Sequence, residues 1–274
     1  MTAELTEAEF VKFAQLIEQE VGIHLSDAKK PLLVARLGKR VRRLALATFS
    51  EYFDHVAHDA DERVAMFDAI STNETRFFRE PKHFELLNTR LLPAIRAAAA
   101  NGERPKSLRI WSAGCSTGEE PYSLAMTLLE QFDPFEWDLR IDATDLSTRV
   151  LDVARTGQWP MRKAAEIPKP LLRRFMLRGT GTQHETFSAG QELRSIIRFG
   201  RVNLTDAHYP MPTDYDLILC RNVLIYFTNA MRRRVVTNLL DHLAAGGSFF
   251  IGHAETLAGI VEGPRTVIPT VYVK

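Results

Sequence analysis

The fold is decided by one stretch of the chain, Arg109-Ile-Trp-Ser-Ala-Gly-Cys-Ser-Thr-Gly-Glu-Glu-Pro-Tyr-Ser-Leu-Ala125. It begins with apolar residues over the length of a strand, continues with small residues, and then starts a helix pattern. A buried strand, a tight turn and a helix start in this order are typical of the nucleotide-binding turn of an open α/β sheet. The turn Gly114–Gly118 is therefore the first candidate ligand site.

The charge at this turn is unusual. Glu119 and Glu120 stand where a phosphate-binding loop presents bare amides or a lysine. A helix N-terminus attracts phosphate, and two carboxylates there repel it. The expected ligand is a nucleoside that lacks phosphate and carries positive charge, and S-adenosylmethionine fits because it has an ammonium and a sulfonium group. The glycine spacing also departs from Gly-x-Gly-x-x-Gly, which disfavours a nicotinamide dinucleotide.

The composition is that of a soluble globular protein, with 45% apolar and 25% charged residues. A chain of 274 residues forms one large domain or two smaller ones. Cys115 and Cys220 are its only cysteines, so that pair alone can build neither a disulfide framework nor a zinc site. The N-terminal residues do not resemble a secretory signal, and no apolar run is long enough to span a bilayer. We expect a cytoplasmic protein.

The first part of the chain has only helical patterns. Thr6 and Glu9 form a capping box, apolar residues follow at helical spacing, and Gly22 ends the helix. A second helix opens at Ser26, and two more are predicted at Phe49–Val56 and Ala60–Ile70. We place the end of this helical domain near residue 71.

After a further helix at Pro81–Ala100, strands and helices alternate. Alternation predicts a parallel sheet with right-handed crossovers. The predicted strands are Leu108–Ser112, Leu139–Thr144, Leu217–Cys220 and Ser248–His253, and the helices are Pro121–Phe132, Thr148–Arg155 and Ala230–Ala245. Gly246 and Gly247 are expected to end the last helix before its strand. The segment from Trp159 to Phe199, including a strand-like Ser195–Phe199, is interpreted as an inserted antiparallel sheet, and Arg265–Lys274 as an edge strand or hairpin.

Polar residues follow the predicted strands. Asp145 ends the second strand and can accept the two ribose hydroxyls. It can also cap the next helix, but Ser147 is equally suited to that task. Asn203 follows the third strand and can bind an adenine edge, although loops often have this composition.

Arg221 and Asn222 interrupt two apolar runs at the end of another strand. Burying them without partners would cost several kcal/mol, about 2–7 for a neutral polar group, so they face either a ligand or a structural network. Tyr226 follows on the same loop. In the segment Ser71–Pro81, Phe77 and Phe78 are expected to pack between domains, whereas the polar residues Asn73, Thr75 and Arg79 are not explained by packing.

A basic segment lies in the helical domain. No acidic residue occurs between Asp27 and Glu51, and basic residues are frequent there. Such a stripe indicates either an acidic partner or a solvated helix face.

Together these blocks resemble the chemotaxis receptor methyltransferase family, the CheR proteins. Each block is modest alone, but their order and spacing are specific and cover nearly the whole chain. The blocks are Asn73-Glu-Thr-Arg-Phe-Phe-Arg79, Ser116-Thr-Gly-Glu-Glu-Pro-Tyr-Ser123, Ala143-Thr-Asp145, Asn203-Leu204, Cys220-Arg-Asn-Val-Leu-Ile-Tyr-Phe227 and Gly252-His-Ala-Glu255.

The resemblance implies an all-α receptor-docking domain over residues 1–71 and a class I, Rossmann-like α/β methyltransferase domain over residues 72–274, with a small β-subdomain inserted at about 159–199. It implies transfer of a methyl group from S-adenosylmethionine to glutamate carboxylates on the cytoplasmic helices of chemoreceptors, giving glutamate methyl ester and S-adenosylhomocysteine. No metal is expected, because the carboxylate is already ionised and a sulfonium is a good leaving group. In some members of the family the β-subdomain also binds a C-terminal receptor peptide.

The resemblance also implies the site residues. The cofactor site would comprise Asn73, Thr75, Arg79, Glu119, Glu120, Asp145, Asn203, Leu204, Arg221 and Asn222. Arg79 and Tyr226 would lie nearest the transferred methyl group, and Arg36, Lys39 and Arg42 would contact the receptor. The family's Asp-Ile-Asp block is here Asp145-Leu-Ser147, so only its first acid is carried over.

Three other functions fit parts of the pattern. A methyltransferase acting on nucleic acid would use the basic helix, but the sequence has no Asn-Pro-Pro-Tyr-type motif and the basic segment is short. A signalling adaptor that only senses the cofactor would keep the fold, and the retained Arg79, Asp145 and Tyr226 argue against it. A dehydrogenase is disfavoured by the acidic pair at the turn.

Overall fold

The computed structural model describes residues 4–71 and 73–274. Its first part contains four helices, α1 Glu7–Val21, α2 Lys30–Arg43, α3 Phe49–His58 and α4 Ala60–Ile70. Thr6 caps α1 with the predicted capping box, and Gly22 ends it in the left-handed conformation. The second helix begins later than predicted, because Ser26 precedes a short 3-10 turn, Asp27–Lys29. Phe13 and Ile17 of α1 are fully buried in the apolar core that these helices share.

The second part is built on a seven-stranded sheet, whose strands are β1 Ser107–Ala113, β2 Asp138–Asp145, β6 Ile197–Arg201, β7 Tyr215–Cys220, β8 Leu243–Ile251, β9 Arg265–Ile268 and β10 Val271–Val273. Their order is β6-β2-β1-β7-β8-β10-β9. The pairs from β6 to β8 are parallel, and β10 and β9 add the predicted antiparallel hairpin. The chain moves outward from β1 to β6 and then returns to β7, so the switch point lies between β1 and β7.

Helices pack around this sheet, and their bounds are α5 Pro81–Leu86, α6 Leu92–Ala100, α7 Glu119–Gln131, α8 Thr148–Thr156, α9 Lys169–Phe175, α10 Gln191–Ser195 and α11 Asn229–Asp241. A π-helical turn at Leu87–Leu91 joins α5 to α6, so Pro81–Ala100 is helical throughout as predicted. Within residues 4–71 and 73–274, no helix has the length and apolar character needed to cross a bilayer.

A small antiparallel sheet follows α8. Its strands are β3 Gln158–Pro160, β4 Met176–Arg178 and β5 Thr186–Ala189, in the order β3-β5-β4. The expectation that Ser195–Phe199 belongs to this sheet is wrong. Ile197 is instead in register with Ile141 of β2, so this run forms the edge strand β6 of the main sheet.

The predicted end of the last long helix is also wrong. α11 ends at Asp241, and β8 begins at Leu243 and continues through Gly246 and Gly247. The positive φ of 76° at Gly246 allows the strand to bend there, where a residue with a side chain would be strained. The two glycines therefore mark an irregularity inside a strand.

A buried polar cluster joins three helices of the first part. Glu62 of α4 accepts hydrogen bonds from the Arg40 guanidinium of α2 and from the Tyr52 hydroxyl of α3, the latter at 2.8 Å. Burial opposes ionisation of Glu62, but these hydrogen bonds outweigh it and lower its pKa. Arg40 therefore holds the helices together, although the sequence placed it in the basic stripe.

We predict that Glu62→Gln lowers the free energy of unfolding by about 2 kcal/mol at neutral pH, because Arg40 loses its charged partner. Tyr52→Phe removes one hydrogen bond and should cost about 1 kcal/mol. Because the folded chain lowers the pKa of Glu62, the stabilisation is complete above the usual carboxyl range and is lost as pH falls through the lowered pKa. Urea unfolding followed by circular dichroism at pH 7 and pH 3 measures the free energy of unfolding of each variant and its dependence on pH. Equal stability of Glu62→Gln and the wild type at pH 7 would contradict this account.

Candidate active site

A cavity opens at the switch point, beyond the carboxyl ends of β1, β2, β6 and β7, where open α/β sheets bind ligands. It brings together most of the site residues predicted from the sequence. Those that line it are Asn73, Thr75, Arg79, Glu120, Asp145, Asn203, Leu204, Arg221, Asn222 and Tyr226. Glu119 is not among them.

The predicted ligand turn forms the floor of this cavity. Gly114 has a φ of 90°, and a Cβ atom there would lie 2.5 Å from Cγ2 of Val223. The amide groups of Gly114 and Cys115 donate to the Thr144 carbonyl at 2.8 and 2.9 Å. Only glycine allows both the left-handed backbone and this close approach of the loop after β7.

Asp145 holds the turn in place. One carboxylate oxygen accepts from the Ser116 amide at 2.8 Å, and the other accepts from the Ser147 amide at 2.9 Å. Ser147 caps α8 through its own hydroxyl, as the sequence allowed, so Asp145 remains at the cavity wall. Burial raises the pKa of Asp145, and the two amide hydrogen bonds oppose that rise.

The two adjacent glutamates at the start of α7 have different surroundings. Glu119 is fully buried, forms an ion pair with Lys163, and accepts a hydrogen bond from the Thr117 hydroxyl at 2.7 Å. Glu120 faces the cavity, where it accepts from the Ser112 hydroxyl at 2.6 Å. Of the pair, only Glu120 lines the cavity.

Arg221 lies behind Glu120 and is 2% exposed. Its guanidinium donates to Glu120 Oε2 at 3.1 Å, to Glu80 Oε2 at 3.1 and 3.2 Å, and to the Arg79 carbonyl. The sequence left open whether Arg221 faces a ligand or a network; in the structure it belongs to a buried network and also lines the cavity. No pattern in the sequence pointed to Glu80 as a residue of this network.

Two buried polar atoms at the cavity have no hydrogen-bond partner among the residues that the structure describes. They are the side-chain nitrogen Nδ2 of Asn73, which is a donor, and the oxygen Oδ1 of Asn222, which is an acceptor. Asn222 is held at a positive φ of 60°, and its amide donates to Glu255 at 3.0 Å. Buried polar groups are normally satisfied, so this pair fits a ligand that carries both acceptors and donors, such as an amino acid.

The helical part of the chain closes the other side of the cavity. Ile23 pairs with Phe227 as an isolated bridge, and the His24 amide donates to the Tyr226 carbonyl at 2.9 Å. The side-chain amide of Asn203 donates to the Glu20 carbonyl at 2.7 Å and accepts from Thr205. Asn203 thus uses its amide to hold α1, so an adenine ring at this wall would find backbone groups instead.

The small sheet supports the segment that carries Asn73 and Arg79. Lys163, which follows β3, donates to the Thr75 carbonyl at 3.3 Å as well as to Glu119. Glu166 accepts from the Phe77 amide at 2.9 Å. Lys163 and Glu166 could not be predicted as part of this site, because no local pattern joins them to a segment 88 and 89 positions earlier.

The predicted partner-binding residues differ in how much they contact the protein itself. Arg36 donates to the carbonyls of Ala69, Ile70 and Ser71, where α4 ends. Lys39 and Arg42 are exposed on α2. A receptor contact of Arg36 would therefore have to compete with its hydrogen bonds to the end of α4.

The cavity thus presents the carboxylates of Glu120 and Asp145 and the side-chain amides of Asn73 and Asn222. Two family models match the chain. A model described as "CheR methyltransferase, SAM binding domain" matches residues 73–272, and one described as "CheR methyltransferase, all-alpha domain" matches residues 8–71.

Curated relatives extend the match. The chemotaxis protein methyltransferase 2 of Pseudomonas aeruginosa is 38% identical over 267 residues, covering 97% of this chain and 93% of the relative. The chemotaxis protein methyltransferase of Borreliella burgdorferi is 34% identical, covering 98% of this chain and 95% of the relative. That of Salmonella typhimurium is 36% identical, covering 98% and 90%.

These matches confirm the family predicted from the sequence blocks. They also confirm the fold class, a class I methyltransferase domain with a small antiparallel sheet and a preceding all-α domain. The chain belongs to the CheR family of S-adenosylmethionine-dependent methyltransferases.

Proposed function

We propose that this chain methylates glutamate side chains of chemoreceptors and so contributes to adaptation in chemotaxis-type signalling. Its products are glutamate methyl ester and S-adenosylhomocysteine. Family membership supports the reaction, and the observation that carries it is the Glu120 carboxylate, which faces the cavity at the switch point. Because the receptor helices concerned are cytoplasmic, the enzyme would act in the cytoplasm.

The lining residues supply groups for each part of S-adenosylmethionine. Glu120 would accept the ammonium group, and the unpartnered amide of Asn73 would donate to the carboxylate. Asp145 would accept the ribose hydroxyls, as acidic residues at the end of the second strand do in related sites. The backbone of Asn203 and Leu204 would contact the adenine. The negative charge of Glu120 after the Gly114–Gly118 turn is complementary to the positive charge of the ammonium group.

The reaction makes few chemical demands on the protein. The methyl donor supplies an activated methyl group on a sulfonium that leaves readily. A glutamate carboxylate is ionised at neutral pH, so its oxygen can form the new bond to carbon without a general base while the carbon–sulfur electron pair returns to sulfur. The protein must align the three atoms and exclude water.

Arg79 and Tyr226 are the proposed positioning groups nearest the transferred methyl. Arg79 lies at the cavity wall, where its guanidinium donates to the Glu74 carbonyl at 2.9 Å. A guanidinium bound tightly to the attacking carboxylate would stabilise the ground state and slow transfer. The contact with Glu74 favours Arg79 as a group that orients its partner without clamping it.

We propose the domain division predicted from the sequence, with residues 1–71 for receptor docking and 72–274 for methyl transfer. Lys39 and Arg42 of α2 are the better candidates for docking, since Arg36 is engaged at the end of α4. Receptor methylation helices are rich in glutamate, and a basic face would steer and orient them. The edge strands β3 and β4 of the small sheet could also receive a receptor C-terminal peptide as an added strand.

The proposed reaction is tested by tritiated methyl transfer to receptor membranes, with RNA as the alternative substrate. We predict that membranes are labelled and that base releases the label as methanol, because esters are base-labile. Arg79→Ala should lower the rate by about 100-fold or more while the protein stays folded. Label in RNA, or base-stable label in protein, would contradict the proposal, and near-normal turnover of Arg79→Ala would contradict its role.

The docking surface is tested by reversing exposed charges. We predict that Lys39→Glu with Arg42→Glu raises the apparent KM for receptor membranes about tenfold, because two attractive contacts become repulsive. Affinity for S-adenosylhomocysteine should not change. The double variant Lys82→Glu with Arg96→Glu changes the net charge equally on exposed positions of α5 and α6 and serves as the control. Equal losses in the two double variants would show that net charge, not this surface, matters.

A further inference from the structure

Glu80 is a buried carboxylate beside the site that the reaction does not require. It stands at the start of α5 with φ at 60°, in the left-handed region, and is 7% exposed. It does not line the cavity. A residue with a side chain in this conformation costs about 1–3 kcal/mol and persists only where its surroundings enforce it. Its contacts therefore indicate what the conformation maintains.

Those contacts lead to Arg221. Glu80 Oε2 accepts from two nitrogens of the Arg221 guanidinium, at 3.1 and 3.2 Å, and Oε1 accepts from the His253 amide at 3.0 Å. Burial opposes ionisation of Glu80, but the Arg221 guanidinium, the hydrogen bond from the His253 amide and the two neighbouring histidines together outweigh it and keep the pKa of that carboxyl below its usual range. Glu80 is thus a charged partner of the same arginine that holds Glu120.

Because Glu80 and Glu120 share Arg221, they determine together the net charge at this wall of the cavity. Arg221 alone would neutralise Glu120, and an incoming ammonium group would then face a balanced pair and the guanidinium behind it. With Glu80 present, two carboxylates share one guanidinium, and the cluster keeps one net negative charge. In a buried cluster that charge is weakly screened, so it acts on the open side, at Glu120, which is 14% exposed.

A metal ion is a less suitable partner for Glu80. The ring nitrogens of His83 and His253 lie within 4.8 Å of its carboxylate, a spacing that could hold a cation. The guanidinium of Arg221 already occupies this carboxylate at 3.1 Å and would repel a second positive charge. The positive charge of this cluster is therefore supplied by Arg221, and its remaining negative charge lies at Glu120, on the cavity side.

We propose that Glu80 is a positioning residue that shares Arg221 with Glu120 and so keeps the Glu120 carboxylate available to the ammonium group of the methyl donor. This inference rests on the proposed function. It assigns specificity for the charged amino-acid end of the ligand to a residue that does not contact the ligand.

The test compares two ligands by calorimetry. S-adenosylhomocysteine carries the ammonium group, and 5′-methylthioadenosine has the same nucleoside and thioether without the amino-acid end. We expect Glu80→Gln to weaken S-adenosylhomocysteine binding about tenfold or more, as for lost charge complementarity, and to change 5′-methylthioadenosine binding less than about twofold. Glu80→Gly should give the same result. Glycine adopts the left-handed backbone without strain, and this gain in folding stability offsets part of the stability lost with the ion pair.

The control is Glu62→Gln, which removes a buried, arginine-paired carboxylate from the helical domain and should leave both affinities unchanged. Equal weakening of both ligands in the Glu80 variants would show a merely structural role and overturn the inference, as would unchanged affinity for both. If the wild type fails to bind S-adenosylhomocysteine, the proposed function itself fails.

Discussion

The buried guanidinium of Arg221 is the interaction on which the site depends. It joins the end of β7 to the start of α5 through Glu80 and to the start of α7 through Glu120. These segments are separated by at least 40 positions in sequence, and no other contact described above joins all three at one point. A buried arginine without partners is unstable, so the fold reaches full stability only when the three segments meet. In the same arrangement the carboxylate of Glu120 faces the cavity.

The other walls of the cavity are held by hydrogen bonds between side chains and backbone groups. Asp145 fixes the glycine turn through the amides of Ser116 and Ser147. Lys163 and the small sheet support the segment that carries Asn73 and Arg79. The helical domain closes the cavity through Asn203 and the pairing of Ile23 with Phe227. The walls of the cavity therefore come from both parts of the chain, and Leu32 of α2 is among the residues that line it.

Local patterns in the sequence predicted much of this structure. The capping box at Thr6, the parallel strands and the terminal hairpin follow from spacing and apolar periodicity, and the structure confirms them. The strand at Ile197 was misplaced because its partner, β2, lies far away in sequence. Gly246 was misread because a glycine inside an irregular strand has the same local signal as a helix end.

The sequence predicted most of the residues that surround the cavity, but it did not predict the contacts that each of them makes. Glu119 and Glu120 are adjacent in sequence, and only the rotation of α7 determines that one meets Lys163 and the other meets the cavity. Likewise the basic stripe contains Arg40, which is paired with Glu62, and exposed residues such as Lys39. The contacts of these residues depend on partners that lie between 22 and 141 positions away in the sequence, and no local pattern predicts such partners.

We propose that the carboxylate of Glu120, and not that of Glu119, receives the ammonium group. Calorimetry of S-adenosylhomocysteine binding to Glu120→Gln and Glu119→Gln distinguishes the two, because these variants remove the same charge from adjacent positions. Glu120→Gln should weaken binding by about tenfold or more, while Glu119→Gln should stay near the wild-type affinity. Equal effects of the two substitutions, or a larger loss in Glu119→Gln, would contradict this proposal.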